Sequence, residues 1–326
     1  MNAAAAARVV GLWRYPVKSM GGGPVDEVRL GPRGVVGDRL WAVRDLEDGR
    51  VATARRLPAL LTCRARFTNE PPADVGPGRA WPVVVTLPDG AEVGSADPRV
   101  HDALTEVLGR PSRLEPLPPL TDRRAHRGGL RTAAAIRREL GLDPDEPLPD
   151  PSFLDARTLA RLAVWSTPPG TFADVAGLHL LTTTSLATLA AAGVDADVRR
   201  FRPTALLEPV GTGREQAYPE RAWVDHDLAL GDARASVTMP TIRCVVPGHA
   251  QADGIAEDRG VSRAVAREAG RFLGVYAEVR DGGSLRVGDE VASLGRTPVP
   301  RAARVAGPVV RRVARPALRL GARLLP

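Results

Sequence analysis

Cysteine and lysine are nearly missing from this chain of 326 residues, which has two cysteines, Cys63 and Cys244, and a single lysine, Lys18. Two cysteines so far apart build no disulfide framework, and with five scattered histidines they form none of the close ligand pairs of a zinc site. That usage fits a reducing, cytoplasmic compartment. Long apolar runs are absent too. No stretch approaches the roughly 18 residues of a membrane span, and Met1 to Gly11 is alanine-rich without a basic leader, so neither export nor membrane insertion is expected. Several catalytic signatures are also missing: Gly-x-Ser-x-Gly, Gly-Lys-Ser/Thr, His-Glu-x-x-His and Gly-x-Gly-x-x-Gly do not occur. Hydrolase, nucleotidase and dinucleotide-binding readings therefore lose their usual support.

What is abundant is arginine. The formal charge is +7, yet the stretch from Arg296 to Pro326 holds eight arginines and no acidic residue. Subtracting those eight from +7 leaves about −1 for residues 1–295, so the body of the protein is nearly neutral. Nucleic-acid binding is not expected, because phosphate affinity needs clustered cations. In the tail, Ala306, Val310, Val313, Ala317, Leu320 and Leu324 recur at spacings of three and four between arginines, a cationic amphipathic pattern suited to a membrane surface. Pro308 and Pro316 would interrupt it as a helix. Peripheral contact at the inner face of the membrane and a disordered basic tail both remain open. Lys18 stands out for the opposite reason. Where composition favours arginine almost everywhere, a retained ammonium points to a site that takes a compact point charge and not a planar fork.

Turn residues and alternation predict a mostly β, α+β chain with peripheral helices in two domains. The first, over 7–110, reads as short strands punctuated by Gly21 to Pro24, Gly31, Gly34 and Gly37, then a turn at Pro88 to Gly90 and a short helix over His101 to Leu108. Residues 111–170 are rich in proline and charge and read as an insertion or linker, with one helix over Leu130 to Leu140 ended by Gly141. The second domain, 171–294, is predicted to hold strands at Leu178 to Leu181, Phe201 to Leu207, Leu228 to Leu230, Ala235 to Met239, Arg243 to Val246, Gly274 to Val279 and Leu285 to Leu294. Its helices are expected from Thr183 or Thr184 to Ala192 and over Val261 to Gly270. Residues 295–326 form the basic tail.

The chemistry gathers in five segments: WRYPVKS (Trp13 to Ser19), GDRLW (Gly37 to Trp41), LTTTSL (Leu181 to Leu186), RRFRPT (Arg199 to Thr204) and TIRCVVP (Thr241 to Pro247). Lys18, Arg39, Arg200 and Arg202 supply cations, while Ser19, Thr183, Thr184 and Ser185 supply hydroxyls. Some of these hydroxyls fall at a predicted helix N-terminus, where free N–H groups favour phosphate. Together they describe an anion site. Against this stands the sheer abundance of arginine and the fact that a lone cysteine is more often an inert buried residue.

In these segments the chain resembles the MOSC superfamily, and in particular the mitochondrial amidoxime-reducing component and its bacterial relatives. The resemblance rests on Tyr15 to Ser19 (YPVKS), on Asp38, Arg39 and Trp41, and on Thr53 to Pro58 (TARRLP). It continues through Arg200 to Pro203, Glu220 with Trp223, and the Arg243 and Cys244 pair, in the family's order over about 13–247. It implies an N-terminal β-barrel-like domain followed by a MOSC β-barrel domain that binds molybdenum cofactor, a molybdopterin-type group. Cys244 would be the metal's thiolate ligand and the catalytic centre, with Lys18, Ser19, Arg39, Thr184, Ser185, Arg200, Arg202 and Thr204 around the pterin and its phosphate. A soft thiolate suits such a centre. Thr204 stands where the family has asparagine, and a hydroxyl cannot offer an amide's paired donor and acceptor.

The activity so implied is reduction of an N-hydroxylated compound, an amidoxime or hydroxylamine, to its amine-type product and water. No four-cysteine iron-sulfur domain is present in the chain, so electrons would come from a separate ferredoxin-, flavoprotein- or cytochrome-type protein. The same residues allow other readings. One is a cofactor or sulfur carrier without turnover. A second is a Schiff-base enzyme built on Lys18, and a third a cofactor-free structural relative. Glu220, Asp225, His226 and His249 lie near the matched segments, and none declares itself a proton donor.

Overall fold

The computed structural model describes residues 5–297 apart from 127, 129–131, 144, 151–153, 155–157, 159–163 and 212–215. In chain order the first strands are β1 (Ala5–Arg14), β2 (Gly23–Val25), β3 (Glu27–Gly31), β4 (Gly34–Val35), β5 (Trp41–Asp45), β6 (Arg64–Phe67), β7 (Val83–Thr86), β8 (Glu92–Gly94) and β9 (Ser112–Pro116). After them come β10 (Leu178–Thr182), β11 (Ala205–Pro209), β12 (His226–Leu230), β13 (Ala233–Ile242), β14 (Phe272–Asp281), β15 (Gly283–Arg286) and β16 (Glu290–Arg296). The helices are α1 (Arg99–Leu108), α2 (Ala133–Leu140), α3 (Thr183–Ala190), α4 (Val198–Phe201) and α5 (Arg259–Ala269).

Seven strands close into a barrel in the order β11, β10, β14, β13, β12, β16, β1, with β1 pairing back onto β11. Closure leaves no open edge, the standard solution to unpaired strand N–H and C=O groups. One strand can serve several partners because β1 is ten residues long and irregular. Its first half pairs with β16, Ala7 to Leu12 pair with β11 across a register break between Val9 and Gly11, and Leu12 to Arg14 pair with β2. At Gly11 a side chain has no room, since a Cβ would lie 2.6 Å from the Trp13 ring. The barrel core comprises inward residues such as Val9, Leu12, Leu180, Leu207, Val237 and Val275, all at most 1% exposed. Trp223 packs into the same core.

The strand that closes the barrel thus comes from the N-terminal segment. A second link runs the other way, as β15 pairs antiparallel with β3. The N-terminal segment builds its own smaller core from Val17, Met20, Val43, Val83, Val85 and Leu104, under the pair β5 with β9 and the sheet β6, β7, β8. Because β9 pairs with β5, the stretch expected to begin as a linker at 111 opens with a strand of that two-stranded pair. The turn at Pro88 to Gly90 joins β7 to β8 as expected, with Gly90 at φ 88°. Three local expectations need correcting. Residues 243–246 are not a strand: β13 ends at Ile242 and the chain enters a short 3-10 turn over Val246–Gly248. Phe201 closes the short helix α4, so the following strand begins only at Ala205. The run Leu285 to Leu294 is two strands, β15 and β16, split at Gly288, whose φ is 97°. The amphipathic tail lies outside the described residues. No helix among the described residues is long and apolar enough to cross a membrane.

Candidate functional site

Where β1 leaves the barrel the chain runs through Tyr15 to Met20 beside the segment Asp38 to Trp41, and backbone hydrogen bonds join the two. Arg39 N–H donates to Tyr15 O (2.7 Å), Trp41 N–H to Pro16 O (3.1 Å) and Lys18 N–H to Trp41 O (2.8 Å). Asp38 accepts from Tyr15 N–H at 2.7 Å. The junction bends sharply: Ser19 has φ 68°, Arg39 φ 51° and Arg202 φ 53°. Such left-handed backbone is costly for a residue with a Cβ and persists where the surroundings impose it, often at functional sites. Six described non-glycine residues adopt it, and three of them are expected cofactor anchors. That concentration separates these residues from the mass of ordinary arginines.

Arg202 caps the C-terminus of α4 and reaches across to the N-terminal segment, where Nη1 donates to Met20 O at 2.6 Å. Its guanidinium lies 4.3 Å from the centroid of the Tyr15 ring, and that of Arg39 lies 5.3 Å from the same ring. Cation–π attraction offsets part of the cost of burying both charges. Burial lowers the Arg202 pKa to about 10 and raises that of Tyr15, so the Tyr15 phenol stays protonated. Lys18 is 3% exposed, and its ammonium donates to Phe172 O at 2.9 Å and to the Asp174 carboxylate. Burial pulls its pKa down to about 8, with Asp174 opposing the shift and Arg55 adding to it. Arg55 in turn pairs with Asp174 at 3.4 Å and with Glu139 at 3.3 Å. Ser19 Oγ accepts from Ala54 N–H at 3.0 Å, tying the TARRLP segment to the same junction.

Cys244 follows β13 and is partly buried against Ala54, Leu61 and Val246. It lies within electrostatic reach of Arg55, Arg243 and Tyr276. Arg243 donates from Nη2 to Phe201 O at 2.9 Å. Cys63, by contrast, is fully buried in the N-terminal core, where burial pushes its thiol up to about 11. It is an inert packing residue.

Lys18, Ser19, Arg39, Arg202 and Cys244 therefore belong to one neighbourhood, and the structure adds Tyr15, Arg55, Asp174, Arg243 and Tyr276. Three other expected residues, Ser185, Arg200 and Thr204, are engaged in internal hydrogen bonds. Ser185 is fully buried and donates from Oγ to Glu220 at 2.6 Å. Glu220, also fully buried, accepts from Thr182 Oγ1 (2.6 Å) and Gly274 N–H (3.1 Å) as well. The helix end that looked ready for a phosphate thus already holds an internal carboxylate, and Thr184 sits in that first turn. Arg200 is 1% exposed and spent on Asp195 (2.7 Å), Pro247 O (3.1 Å) and Ala256 O (3.0 Å), which makes it a structural tie. Thr204 Oγ1 accepts from His179 N–H at 3.1 Å between β10 and β11. Arg55 stands inside the TARRLP segment and Tyr15 inside YPVKS, so both were within sight of sequence reasoning. Asp174 and Tyr276 carry no motif, and only their position in space marks them.

The donor set suits an anionic group rich in acceptors. Lys18, Arg39, Arg55, Arg202 and Arg243 face Asp38, Asp174 and Glu139, an excess of cations at the junction. Tyr15 Oη, Arg202 Nη2 and Arg243 Nε are buried with no hydrogen-bond partner among the described residues. Unpaired buried donors are expensive, and a bound acceptor relieves the cost. Among the described residues no group of three or more His, Cys, Asp or Glu could hold a metal ion, so Cys244 can complete a coordination sphere but not build one. A cleft of about 310 Å³ lined by Trp13, Pro24, Arg199 and Ile255 adjoins the cluster and shares Tyr15 and Arg202 with it, but not Lys18, Arg39 or Cys244.

Fold and site together define a two-part β-barrel protein with a cation-rich junction and one partly exposed thiol. The MOSC N-terminal beta barrel domain matches residues 6–87 and the MOSC domain matches residues 168–292, in that order. The chain belongs to the MOSC superfamily, whose domain binds molybdenum cofactor. Among solved structures it is similar to the YuaD protein from Bacillus subtilis, at 11% identity over 88% of this chain and 94% of that one, with a TM-score of 0.38. It is also similar to YiiM from Escherichia coli, at 12% identity over 40% of this chain and 62% of that one (TM-score 0.29). For YiiM from Geobacillus stearothermophilus the identity is 12% over 36% and 54%, with a TM-score of 0.28. No curated protein matches the sequence significantly.

Proposed function

We propose that this protein is a molybdenum-dependent oxidoreductase that removes oxygen from N-hydroxylated compounds of the amidoxime or hydroxylamine type, with electrons from a separate redox protein. The observation that carries the reading is the junction itself, where Ser19, Arg39 and Arg202 hold strained left-handed backbone around a buried tyrosine and Cys244 stands among cations. Strain of this kind is kept where positioning is needed. When bound, molybdenum cofactor supplies the two-electron chemistry, and the chain supplies binding and orientation.

Lys18, Arg39 and Arg202 bind the anionic part of the cofactor, and Tyr15 Oη and Arg202 Nη2 find in it the acceptors they lack. Ser19 orients the loop through Ala54. Cys244 would provide the thiolate ligand, with Arg55 and Arg243 within electrostatic reach of it. Ser185, Arg200 and Thr204 act behind this set by holding α3, α4 and the strand ends in place.

The test compares wild type with Cys244→Ala, purified reduced from a cofactor-producing host, for molybdenum and pterin content and for dye-driven reduction of benzamidoxime. Near-stoichiometric cofactor with turnover in wild type, and loss of turnover in the variant, is expected. Cofactor without turnover would make the protein a carrier. Absence of molybdenum and pterin from wild type, with a control molybdoenzyme loaded alongside, would overturn the reading.

A further inference from the structure

The helix α2 has eight residues and none of them is buried. An isolated helix in water needs roughly 12–15 residues, so neither length nor apolar packing keeps this one in place. Thr132 caps its start, where Oγ1 accepts from Ala135 N–H at 3.1 Å, and Gly141 stops it at φ 64°. What fixes its position is polar and gathered at its C-terminal end. Val245 N–H donates to Glu139 O at 3.0 Å, and the Glu139 carboxylate pairs with Arg55 Nε at 3.3 Å. Arg271 Nη1 donates to Leu140 O at 3.1 Å, and Arg271 Nε to the Glu146 carboxylate at 3.2 Å. The approach is close, since a Cβ on Gly141 would stand 2.9 Å from Val245 Cγ1.

These ties bracket Cys244. Val245 is the next residue in the chain, and Arg55 follows Ala54, against which the partly buried Cys244 packs. Glu139 therefore bridges the two segments that meet at the thiol, its backbone oxygen on one and its carboxylate on the other. Arg55 continues to Asp174 at 3.4 Å, and Asp174 to Lys18, so the end of α2 is linked across the junction to the buried ammonium. The fastenings are partly exposed: the side chains of Arg271 and Glu146 are 16% and 35% accessible. Ion pairs of this kind contribute little and weaken in salt. A segment held by them, with no buried residue of its own, opens more readily than the barrel core.

We propose that α2 is a strap across the approach to Cys244, fastened by Glu139 to Arg55 and by Glu146 to Arg271, and that it sets the size of molecule that reaches the thiol. Small molecules pass with the strap closed. A bulky one reaches Cys244 only when the ion pairs part and the end of α2 lifts from Val245. The strap limits access to Cys244 in a carrier as much as in an enzyme, so this role goes beyond the reductase function and does not depend on turnover.

The test labels the full chain, cofactor-free and reduced, with N-ethylmaleimide and with a polyethylene-glycol maleimide. Each rate is normalised to that of free glutathione, and the ratio of large-probe to small-probe rate is followed. Only Cys244 should react, because Cys63 is 0% exposed, and labelling of a second thiol reports unfolding. A change in thiolate character speeds both maleimides alike and cancels in the ratio. In wild type the large probe should be slower by about tenfold, as expected for a reagent that tracks the population of an open state. Glu139→Gln and Arg271→Met should each raise the ratio by about fivefold, the change in an opening equilibrium on losing one partly exposed ion pair. Added sodium chloride should raise the wild-type ratio in the same direction. A wild-type ratio equal to that of glutathione, or a ratio unmoved in variants that label at one thiol, overturns the proposal and leaves the reductase reading standing. If a variant labels at both cysteines, the wild-type salt series decides, and a flat ratio overturns the strap.

Discussion

Lys18 is 3% exposed, and its ammonium is held by Phe172 O and Asp174. Its pKa falls from 10.5 to about 8 because desolvation outweighs Asp174. Between those values the unfolded chain holds a proton that the folded chain has released, so the lysine's contribution to stability rises with pH through the window from 8 to 10.5. Below pH 8 the folded state carries the full penalty, about 3 kcal/mol for a shift of that size. Urea unfolding of cofactor-free wild type and Lys18→Met should therefore show wild type gaining on the variant as pH is raised from 8 to 10.5. A constant difference across that window would mean that the lysine is not buried as described. The sequence marks Lys18 through its rarity, and the motif around it marks Ser19. Asp174, which lies over 150 residues away and neutralises it, is invisible without the fold because nothing in its local sequence sets it apart from other aspartates.

At the scale of elements, α3 shows how a correct local reading still misplaces chemistry. The helix itself is legible, but its cap lies just before the expected Thr183 or Thr184: Thr182 Oγ1 accepts from Ser185 N–H at 3.2 Å. Legible too is Gly141 as a left-handed stop after α2. What faces the helix end could not be read, and the answer is Glu220 from a turn about 35 residues downstream. Its carboxylate ties α3 to Gly274 of β14, where φ is 83° and a Cβ would stand 2.3 Å from His179 Nε2. Glu220→Ala leaves Thr182, Ser185 and Gly274 without their acceptor, an expected loss of about 3 kcal/mol. Thermal unfolding should show a Tm lower by about 5–10 °C, with Glu220→Gln recovering part of it. An unchanged Tm would mean that the network adds nothing to the native state. Val245 and Val246 carry β propensity, yet β13 ends at Ile242 and the chain turns into the 3-10 segment Val246–Gly248.

For the whole molecule, the body is nearly neutral and the excess charge lies beyond Arg296, outside the described residues. A chain ending at 295 should bind anionic phosphatidylserine vesicles at least tenfold more weakly than the full chain at low salt, by the gain of about 1 kcal/mol per arginine near such a surface. Equal binding of both forms in a sedimentation assay would remove the membrane role of the tail.

The sequence by itself determined the β-rich class, the order of its two parts and the principal turns, and it singled out Lys18, Ser19, Arg39, Arg202 and Cys244 as candidates. Those rest on local propensity, turn chemistry and motif order, which are properties of neighbouring residues. Only the tertiary structure decided that β1 closes the C-terminal barrel, that Ser185 and Arg200 face inward, and that Tyr276 and Asp174 stand at the junction. Strand closure and long-range ion pairs depend on which distant segments fit together, and packing, not propensity, makes that choice.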